Sequence, residues 1–233
     1  MTAHIGIVAC SAEGAALCYR TICTEGPALL GPYAHPQVSL HSLSLAEYVA
    51  CLERGDLKGV AELMLRSAES LARAGADFLI CPDNTIHAAF GFVKQRSPLP
   101  WLHIAEVVAE EARARGYRRL GITGTKWLVE SEVYPEKLSV AGLEYRRPSA
   151  DERDRIDRII MDELVAGVFK PDSTRKICDV ITRFKTEEAC DAVILGCTEL
   201  PLVINAENSP LPVLDSTMLL ARAALKRAVD TSP

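Results

Sequence analysis

The stretch SAESLARAGADFLICPDNT, residues 67–85, has a counterpart in VITRFKTEEACDAVILGCTEL, residues 180–200. Each stretch contains a segment of helical character, an Ala-Asp or Cys-Asp step, a short apolar run and then a polar turn. A helix followed by a buried strand is the building unit of parallel sheets. The sequence therefore predicts an α/β protein whose chain passes through the same plan twice.

The rest of the chain keeps this alternation of short apolar runs and amphipathic segments. HIGIVAC at 4–10 and RRLGITGT at 118–125 are predicted strands that start the two halves, and a strong helix is predicted over 56–76, with Gly75 near its end. A final helix is predicted over 216–229. Alternating strands and helices favour parallel sheets with right-handed crossovers.

Composition and charge exclude several classes of partner. The chain has 233 residues, of which 48% are hydrophobic and 24% charged, and its formal net charge is −5. This charge gives no reason to expect nucleic acid or an anionic membrane as a partner. No run of 18 apolar residues suggests a membrane span, and the N-terminal residues do not resemble a signal peptide.

The eight cysteines show neither paired Cys-x-x-Cys spacing nor a nearby histidine cluster. A zinc site is therefore not predicted, and neither is any other metal. Without a secretory signal, we expect a cytoplasmic protein with free thiols. Most of these cysteines are predicted to be small buried hydrophobic residues.

The two polar turns carry the candidate chemistry. When Asp77 is aligned with Asp191, Asp83 falls opposite Cys197, whereas Cys81 falls opposite Leu195. A cysteine at the end of a strand and near a helix N-terminus is favoured as a thiolate, the reactive form. The alternative interpretation of Cys197 is a buried thiol at a strand end.

Asp83 allows more than one interpretation. It is predicted as a general acid or base facing Cys197 across a cleft, but a turn residue after Pro82 or a helix cap would have the same sequence. If Pro82 distorted the turn, Cys81 would take the role of the base. The internal repeat favours Asp83.

Small polar residues follow the same predicted strands. Asn84 and Thr85 are predicted to cap a helix beginning near Ile86 and to donate hydrogen bonds to a substrate carboxylate. Ser11 and Thr125 follow the first strand of each half and are candidates for the same role. Neither Gly-x-Gly-x-x-Gly nor a P-loop occurs, so no nucleotide cofactor is predicted.

Three segments together resemble the aspartate/glutamate racemase superfamily over nearly the whole chain: GADFLICPDNTIH at 75–87, GITGT at 121–125 with Ser131 and Tyr134 downstream, and DAVILGCTELPL at 191–202. The resemblance implies two pseudo-symmetric flavodoxin-like domains with the active site in the cleft between them. The first domain would comprise 1–103 plus 215–233, and the second 104–214. The resemblance also implies a homodimer that uses neither pyridoxal phosphate nor a metal.

In this superfamily, two residues on opposite sides of the substrate Cα exchange the α-proton, and both are usually cysteines. The second position falls on Cys197, and the first, immediately before the Asn of Asn-Thr, falls on Asp83. The chain therefore departs from the usual pair. Substrate binding is predicted for polar residues that follow the strands of both halves, namely Ser11, Asn84, Thr85, Thr125, Thr198 and Glu199.

The leading hypothesis is a racemase of aspartate, glutamate or a related amino acid. Because a carboxylate is normally ionised and a thiol normally protonated at neutral pH, Asp83 is expected to abstract a proton and Cys197 to donate one, with turnover biased toward one enantiomer. One alternative is a cysteine-dependent decarboxylase or cis-trans isomerase of a dicarboxylic acid. The other is an inactive carboxylate-binding protein. For a distal substrate carboxylate, only His41 and Ser42 offer a plausible loop, and Lys170 has no secure place.

Overall fold

The computed structural model describes residues 2–230, which form two compact units. The first unit runs to Val107 and resumes at Thr217, and the second is Val108–Ser216. Each unit contains one four-stranded parallel sheet flanked by helices. The predicted α/β fold with two parallel sheets is confirmed. The domain limits predicted at 103/104 and 214/215 stay a prediction.

The sheet of the first unit has the strand order β2-β1-β3-β4, and all its pairs are parallel. Its strands are β1 (Ile5–Ala9), β2 (Val38–Ser42), β3 (Phe78–Ile80) and β4 (Trp101–Leu102). The helices along this part of the chain are α1 (Ala12–Glu25), α2 (Pro27–Leu30), α3 (Leu45–Glu53), α4 (Leu57–Arg73), α5 (Phe90–Val93) and α6 (Ile104–Ala114), with a 3-10 helix at Thr85–Ala89.

The sheet of the second unit repeats this topology, with the strand order β6-β5-β7-β8. Its strands are β5 (Arg119–Thr123), β6 (Glu144–Arg146), β7 (Ala192–Leu195) and β8 (Val213–Asp215). The remaining helices are α7 (Lys126–Glu130), α8 (Val133–Val140), α9 (Ala150–Asp162), α10 (Pro171–Thr186) and α11 (Ser216–Asp230), with 3-10 helices at Leu164–Ala166 and Leu200–Leu202.

Helix α11 packs with the first unit. The guanidinium of Arg222 forms an ion pair with Glu25 at the end of α1, at 2.7 Å. The backbone N–H of Ala3 donates to the carbonyl of Ala228 at 2.9 Å. These contacts tie the last described helix to the start of the chain.

The aspartate that aligns the two halves has the same structural role in both sheets. Asp77 Oδ2 accepts a hydrogen bond from the backbone N–H of His4 at 2.7 Å. Asp191 Oδ2 accepts from the N–H groups of Arg118 and Arg119 at 2.7 and 2.9 Å. Each carboxylate thus joins the start of β3 or β7 to the start of its neighbour through charge-assisted hydrogen bonds. The need for a carboxylate at this place in both sheets explains why Asp77 and Asp191 recur at equivalent positions of the two halves.

A second repeat, SPLPWL at 97–102 and SPLPVL at 209–214, leads into the edge strands β4 and β8. In both copies the serine hydroxyl donates to the carbonyl two residues on, from Ser97 to Leu99 at 2.8 Å and from Ser209 to Leu211 at 2.7 Å. From the sequence, PWLHIAEVVAEEARARGY at 100–117 is predicted as a helix with Pro100 near its start. That placement of Pro100 is wrong, because a strand follows it and α6 begins only at Ile104.

Glycine in β5 allows close packing between the sheet and α10. A Cβ atom at Gly121 would overlap the ring of Phe184, whose side chain is fully buried. Gly6 holds the corresponding place in β1, where a Cβ atom would lie 2.6 Å from Leu79 Cδ2. Both positions need the absence of a side chain because the neighbouring atoms are packed at core density.

We expect Gly121→Ala to lower the free energy of unfolding by about 1–3 kcal/mol, the usual range for overpacking a core. Urea unfolding followed by circular dichroism measures this loss. The control is Gly91→Ala in α5, where an added Cβ meets no atom within 4 Å. Equal stability of Gly121→Ala and the unmodified protein would contradict the packing described here.

Two further findings concern the whole described chain. Between residues 2 and 230, no helix is long and apolar enough to cross a membrane. None of the eight cysteines, all of which lie among the described residues, forms a disulfide, and Cys10, Cys18, Cys81, Cys190 and Cys197 are buried.

Candidate active site

The residues proposed for chemistry follow the carboxyl ends of strands in both sheets. Ser11 follows β1, the turn 81–87 follows β3, Thr125 follows β5, and the turn 196–199 follows β7. In open parallel sheets, ligands bind beyond the carboxyl ends of the strands. Each unit therefore presents its candidate residues at the edge where α/β proteins bind small molecules.

The carboxylate of Asp83 begins the 3-10 helix at Thr85–Ala89. Asp83 Oδ1 accepts the backbone N–H of Ile86 at 3.2 Å, whereas Asn84 makes no capping hydrogen bond with its side chain. The prediction that the Asn84 side chain caps this helix is therefore wrong, because the carboxylate of the residue before it accepts the Ile86 N–H, while capping by Thr85 stays a prediction. A carboxylate has two oxygens with several acceptor positions, so capping occupies only part of its capacity.

Cys81 is fully buried beneath this turn. Its Sγ donates a weak hydrogen bond to the carbonyl of Asp83 at 3.8 Å. Burial, followed by the negative charge of Asp83, raises the pKa of the Cys81 thiol well above its usual range. Because the thiolate is the basic form, a thiol held protonated at neutral pH is a poor base. The environment of Cys81 favours Asp83 as the acid–base group of the turn.

Cys197 and its neighbours form a buried hydrogen-bonded cluster around Glu199. Glu199 Oε2 accepts from Cys197 Sγ at 2.9 Å and from Thr198 Oγ1 at 2.7 Å. Cys197 is 9% exposed, and the other two residues are less exposed still. A neighbouring carboxylate that accepts the thiol proton favours the thiol over the thiolate.

The local backbone differs from the sequence-based prediction for Cys197. The helix after it, Leu200–Leu202, is a single 3-10 turn of three residues. A macrodipole needs several aligned peptide groups, so this turn supplies little positive charge to the sulfur. The expected helix N-terminus beside Cys197 is thus a single 3-10 turn, and the carboxylate of Glu199 accepts a hydrogen bond from the thiol. The thiolate form of Cys197 stays a prediction.

The close approach of β7 to β5 fixes the backbone immediately before Cys197. Gly196 N–H donates to the Thr123 carbonyl at 2.9 Å, and Thr123 Oγ1 donates to the Ile194 carbonyl at 2.7 Å. The hydroxyl of Ser216 donates to the Leu195 carbonyl at 2.8 Å. A Cβ atom at Gly196 would lie 2.7 Å from the Thr123 carbonyl oxygen, so the absence of a side chain at Gly196 permits this close approach.

Ser11 and Thr125 hold matching places at the starts of α1 and α7. Ser11 Oγ accepts the N–H of Gly14 at 3.3 Å, and Thr125 Oγ1 accepts the N–H of Leu128 at 3.4 Å. Both hydroxyls therefore act as N-caps. These bonds use the hydroxyl oxygen as an acceptor and do not use its proton, so capping is compatible with donation to a ligand.

Several polar residues were missed or left unplaced by sequence reasoning. Tyr48 on α3 is fully buried in the same hydrophobic cluster as Cys10 and Cys81, and burial raises the pKa of its phenol far above the usual range. It belongs to no recognisable motif. His41 Nδ1 lies 3.0 Å from the Ser67 hydroxyl. Lys170 forms an ion pair with Glu163 at 3.3 Å. Neither contact assigns a site for a distal substrate carboxylate.

Within residues 2–230, no three His, Cys, Asp or Glu side chains are grouped so that they could hold a metal ion.

The two parallel sheets agree with comparisons to known proteins. The Asp/Glu/Hydantoin racemase family matches residues 6–224. A candidate Asp/Glu racemase from Yersinia pestis superposes with a TM-score of 0.89 and 30% identity, covering 97% of this chain and 99% of that one. An aspartate racemase homologue from Pyrococcus horikoshii superposes with a TM-score of 0.84 and 30% identity, covering 98% and 99%.

A broad-specificity amino-acid racemase of Bacillus subtilis is 25% identical over 165 residues, which are 70% of this chain and 69% of that protein. Since the family match spans nearly the whole sequence, the chain belongs to the Asp/Glu/Hydantoin racemase family. It is therefore an enzyme of the isomerase class, related to amino-acid racemases.

Proposed function

We propose that this protein racemises aspartate, glutamate or a related amino acid, with Asp83 and Cys197 acting on opposite faces of the substrate Cα. One observation carries the proposal. At equivalent positions after β3 and β7, the chain holds a half-buried carboxylate and a buried thiol with its proton directed to Glu199. The pair thus combines a group that is normally ionised at neutral pH with one that is normally protonated.

In the proposed reaction, the Asp83 carboxylate takes the α-proton, and the electrons of the C–H bond move into the substrate carboxylate as an enediolate. The thiol of Cys197 then gives its proton to the opposite face, which leaves a thiolate. Positioned acid–base groups of this kind contribute about 10²–10⁴-fold each to rate. The reverse reaction begins with the thiolate and a protonated Asp83, so the two resting states serve opposite enantiomers.

The negative charge that develops on the substrate carboxylate needs hydrogen-bond donors. We propose that Asn84, Thr85, Thr125 and Thr198, with Ser11, supply them. Donors held in place before the reaction stabilise a developing anion without the cost of reorganisation. Asn84, Thr125 and Thr198 are buried, which supports a fixed arrangement.

Glu199 is proposed to keep Cys197 protonated until the thiol donates. We expect Glu199→Gln to raise the rate of Cys197 alkylation by iodoacetamide at neutral pH by about tenfold, because roughly 1.4 kcal/mol of repulsion between thiolate and carboxylate is removed. Mass spectrometry of the Cys197 peptide measures the rate. Glu207→Gln, an exposed loop substitution, is the control. Slower alkylation in Glu199→Gln would show that the carboxylate activates the thiol instead.

Two further parts of the proposal rest on the family resemblance, namely catalysis without pyridoxal phosphate and a homodimer. Activity of protein freed of pyridoxal phosphate by dialysis against hydroxylamine tests the first of these. Light scattering during size-exclusion chromatography tests the second. A monomer with full activity would contradict the proposed homodimer. A cytoplasmic location is proposed because none of the eight cysteines forms a disulfide.

The test of the proposed function incubates the protein with each enantiomer of aspartate, glutamate and several neutral amino acids, followed by chiral chromatography. Formation of the opposite enantiomer supports the proposal. Release of CO₂ from substituted malonates, or cis-trans conversion of a diacid, without any racemisation would favour the dicarboxylic-acid enzyme. Saturable binding of an amino acid without conversion would favour the inactive binding protein.

A further inference from the structure

We propose that His87 is the positioning residue for Asp83, holding the backbone carbonyl of the proposed acid–base residue through its Nδ1–H group. The contact is part of the turn itself, since His87 Nδ1 lies 2.7 Å from the Asp83 carbonyl oxygen. This role rests on the proposed function, because His87 affects the proposed reaction only by positioning Asp83.

The chemistry of this contact fixes the tautomer of His87. A backbone carbonyl can only accept a hydrogen bond, so Nδ1 must carry the proton. Asp83 is then held twice. Its carbonyl accepts from His87, and its Oδ1 accepts from the N–H of Ile86 at 3.2 Å. The buried thiol of Cys81 adds a weaker donor to the same carbonyl at 3.8 Å.

The imidazole of His87 is itself fixed by the rings around it. It is 3% exposed and meets the ring of His103 edge-on, with centroids 4.6 Å apart and planes at 67°. On another side it stacks with Phe90 at 5.9 Å and 26°, and Phe90 in turn packs against Trp101 at 5.8 Å. The Ala105 N–H donates to Nδ1 of His103 at 3.2 Å, which fixes that ring as well.

The second turn has a different residue at the corresponding place. In the register that pairs Asp83 with Cys197, His87 aligns with Pro201, which has no side-chain donor. The His87 contact therefore serves only the Asp83 side of the proposed pair. Because a misplacement of about 1 Å can cost about 10²-fold in rate, loss of this contact should affect the step that uses Asp83.

The test compares three substitutions at His87. Asparagine can place its Nδ2–H₂ donor where Nδ1–H lies, glutamine places its donor nearer the position of Nε2, and leucine has none. In D₂O, we expect His87→Leu and His87→Gln to lower α-proton exchange with retention by about 10²-fold for the enantiomer that Asp83 deprotonates. Exchange of the other enantiomer should persist, and His87→Asn should restore most of the loss.

A second readout does not depend on activity. Long-range ¹H–¹⁵N NMR of protein labelled at histidine, with His87→Asn to assign the signal, reports which ring nitrogen carries the proton. The proposal requires a proton on Nδ1 in the unsubstituted protein. A neutral ring protonated only at Nε2 would overturn it whatever the activity, and so would equal loss of exchange for both enantiomers. If the unsubstituted protein racemises no amino acid while Nδ1 is protonated, the proposed function fails and the positioning role fails with it, although the contact is real.

Discussion

Replacing Cys197 with alanine is expected to lower the rate of racemisation by about 10²–10⁴-fold, the contribution of one positioned acid or base. The reason is that the thiol is the proposed proton donor on one face of the substrate, and its proton is directed to Glu199 at 2.9 Å. Alanine removes the thiol with its proton and keeps only the Cβ atom. Chiral chromatography of product formed from each enantiomer measures the loss.

Cys190→Ala is the matched control for this substitution. Cys190 is another buried cysteine of the same unit that forms no disulfide, and it lies just before β7, whereas Cys197 follows that strand. Its removal changes the same chemical group at the opposite end of the strand. If Cys190→Ala lost as much activity as Cys197→Ala, or if Cys197→Ala kept full activity, the proposed role of Cys197 would be wrong.

The second large effect is expected for Asp83→Asn, which should lower α-proton exchange of one enantiomer by about 10²–10⁴-fold. The amide oxygen can still accept the Ile86 N–H, so the helix cap is kept while the basic carboxylate is lost. Proton NMR in D₂O, started separately from each enantiomer, measures the exchange. Asp83→Cys, which introduces the two-cysteine pair of the family, is expected to retain racemisation.

Asp56→Asn controls for the loss of a capping carboxylate. Asp56 Oδ1 accepts the N–H of Gly59 at the start of α4, at 2.8 Å, which repeats the geometry of Asp83 and Ile86. We expect this variant to keep its activity. Full activity of Asp83→Asn would show that Asp83 only caps the helix. It would contradict the proposed pairing of an ionised carboxylate with a protonated thiol.

The different chemistry of Asp83 and Cys197 predicts a preference for one enantiomer, but only some kinetic quantities can show it. The two enantiomers of an amino acid have equal free energies in solution, so kcat/KM must be the same in both directions whichever groups act as bases. The bias toward one enantiomer that the sequence predicts therefore cannot appear in kcat/KM. It can appear in kcat and KM separately, and in proton exchange without inversion.

Much of the fold could be predicted because its signals are local in the sequence. The Asp77 and Asp191 steps mark equivalent strands, since each carboxylate joins two neighbouring strands. Strands β4 and β8 were missed because two or three residues are too few to show periodicity. The repeated Ser-Pro-Leu-Pro before both strands was the available signal.

The candidate site was less predictable, because its decisive features are side-chain contacts. The sequence located the turns of Asp83 and Cys197, but it did not show that Asp83 caps the helix or that Glu199 accepts the thiol proton. Nor could it show that His87 binds the Asp83 carbonyl, since that contact depends on the rotamer of a ring fixed by aromatic neighbours. Distances and rotamers of this kind follow from packing between elements that are far apart in sequence.

The most direct test of the central claim is α-proton exchange in D₂O, measured by NMR for each pure enantiomer of the best substrate, with the unsubstituted protein and Cys197→Ala. The unsubstituted protein is expected to form the opposite enantiomer with deuterium at Cα. Cys197→Ala is expected to form it about 10²–10⁴-fold more slowly, while Asp83 still exchanges the proton of one enantiomer with retention. Racemisation by Cys197→Ala at the unsubstituted rate, or product that retains the original α-proton without solvent deuterium, would contradict a two-sided Asp83/Cys197 mechanism.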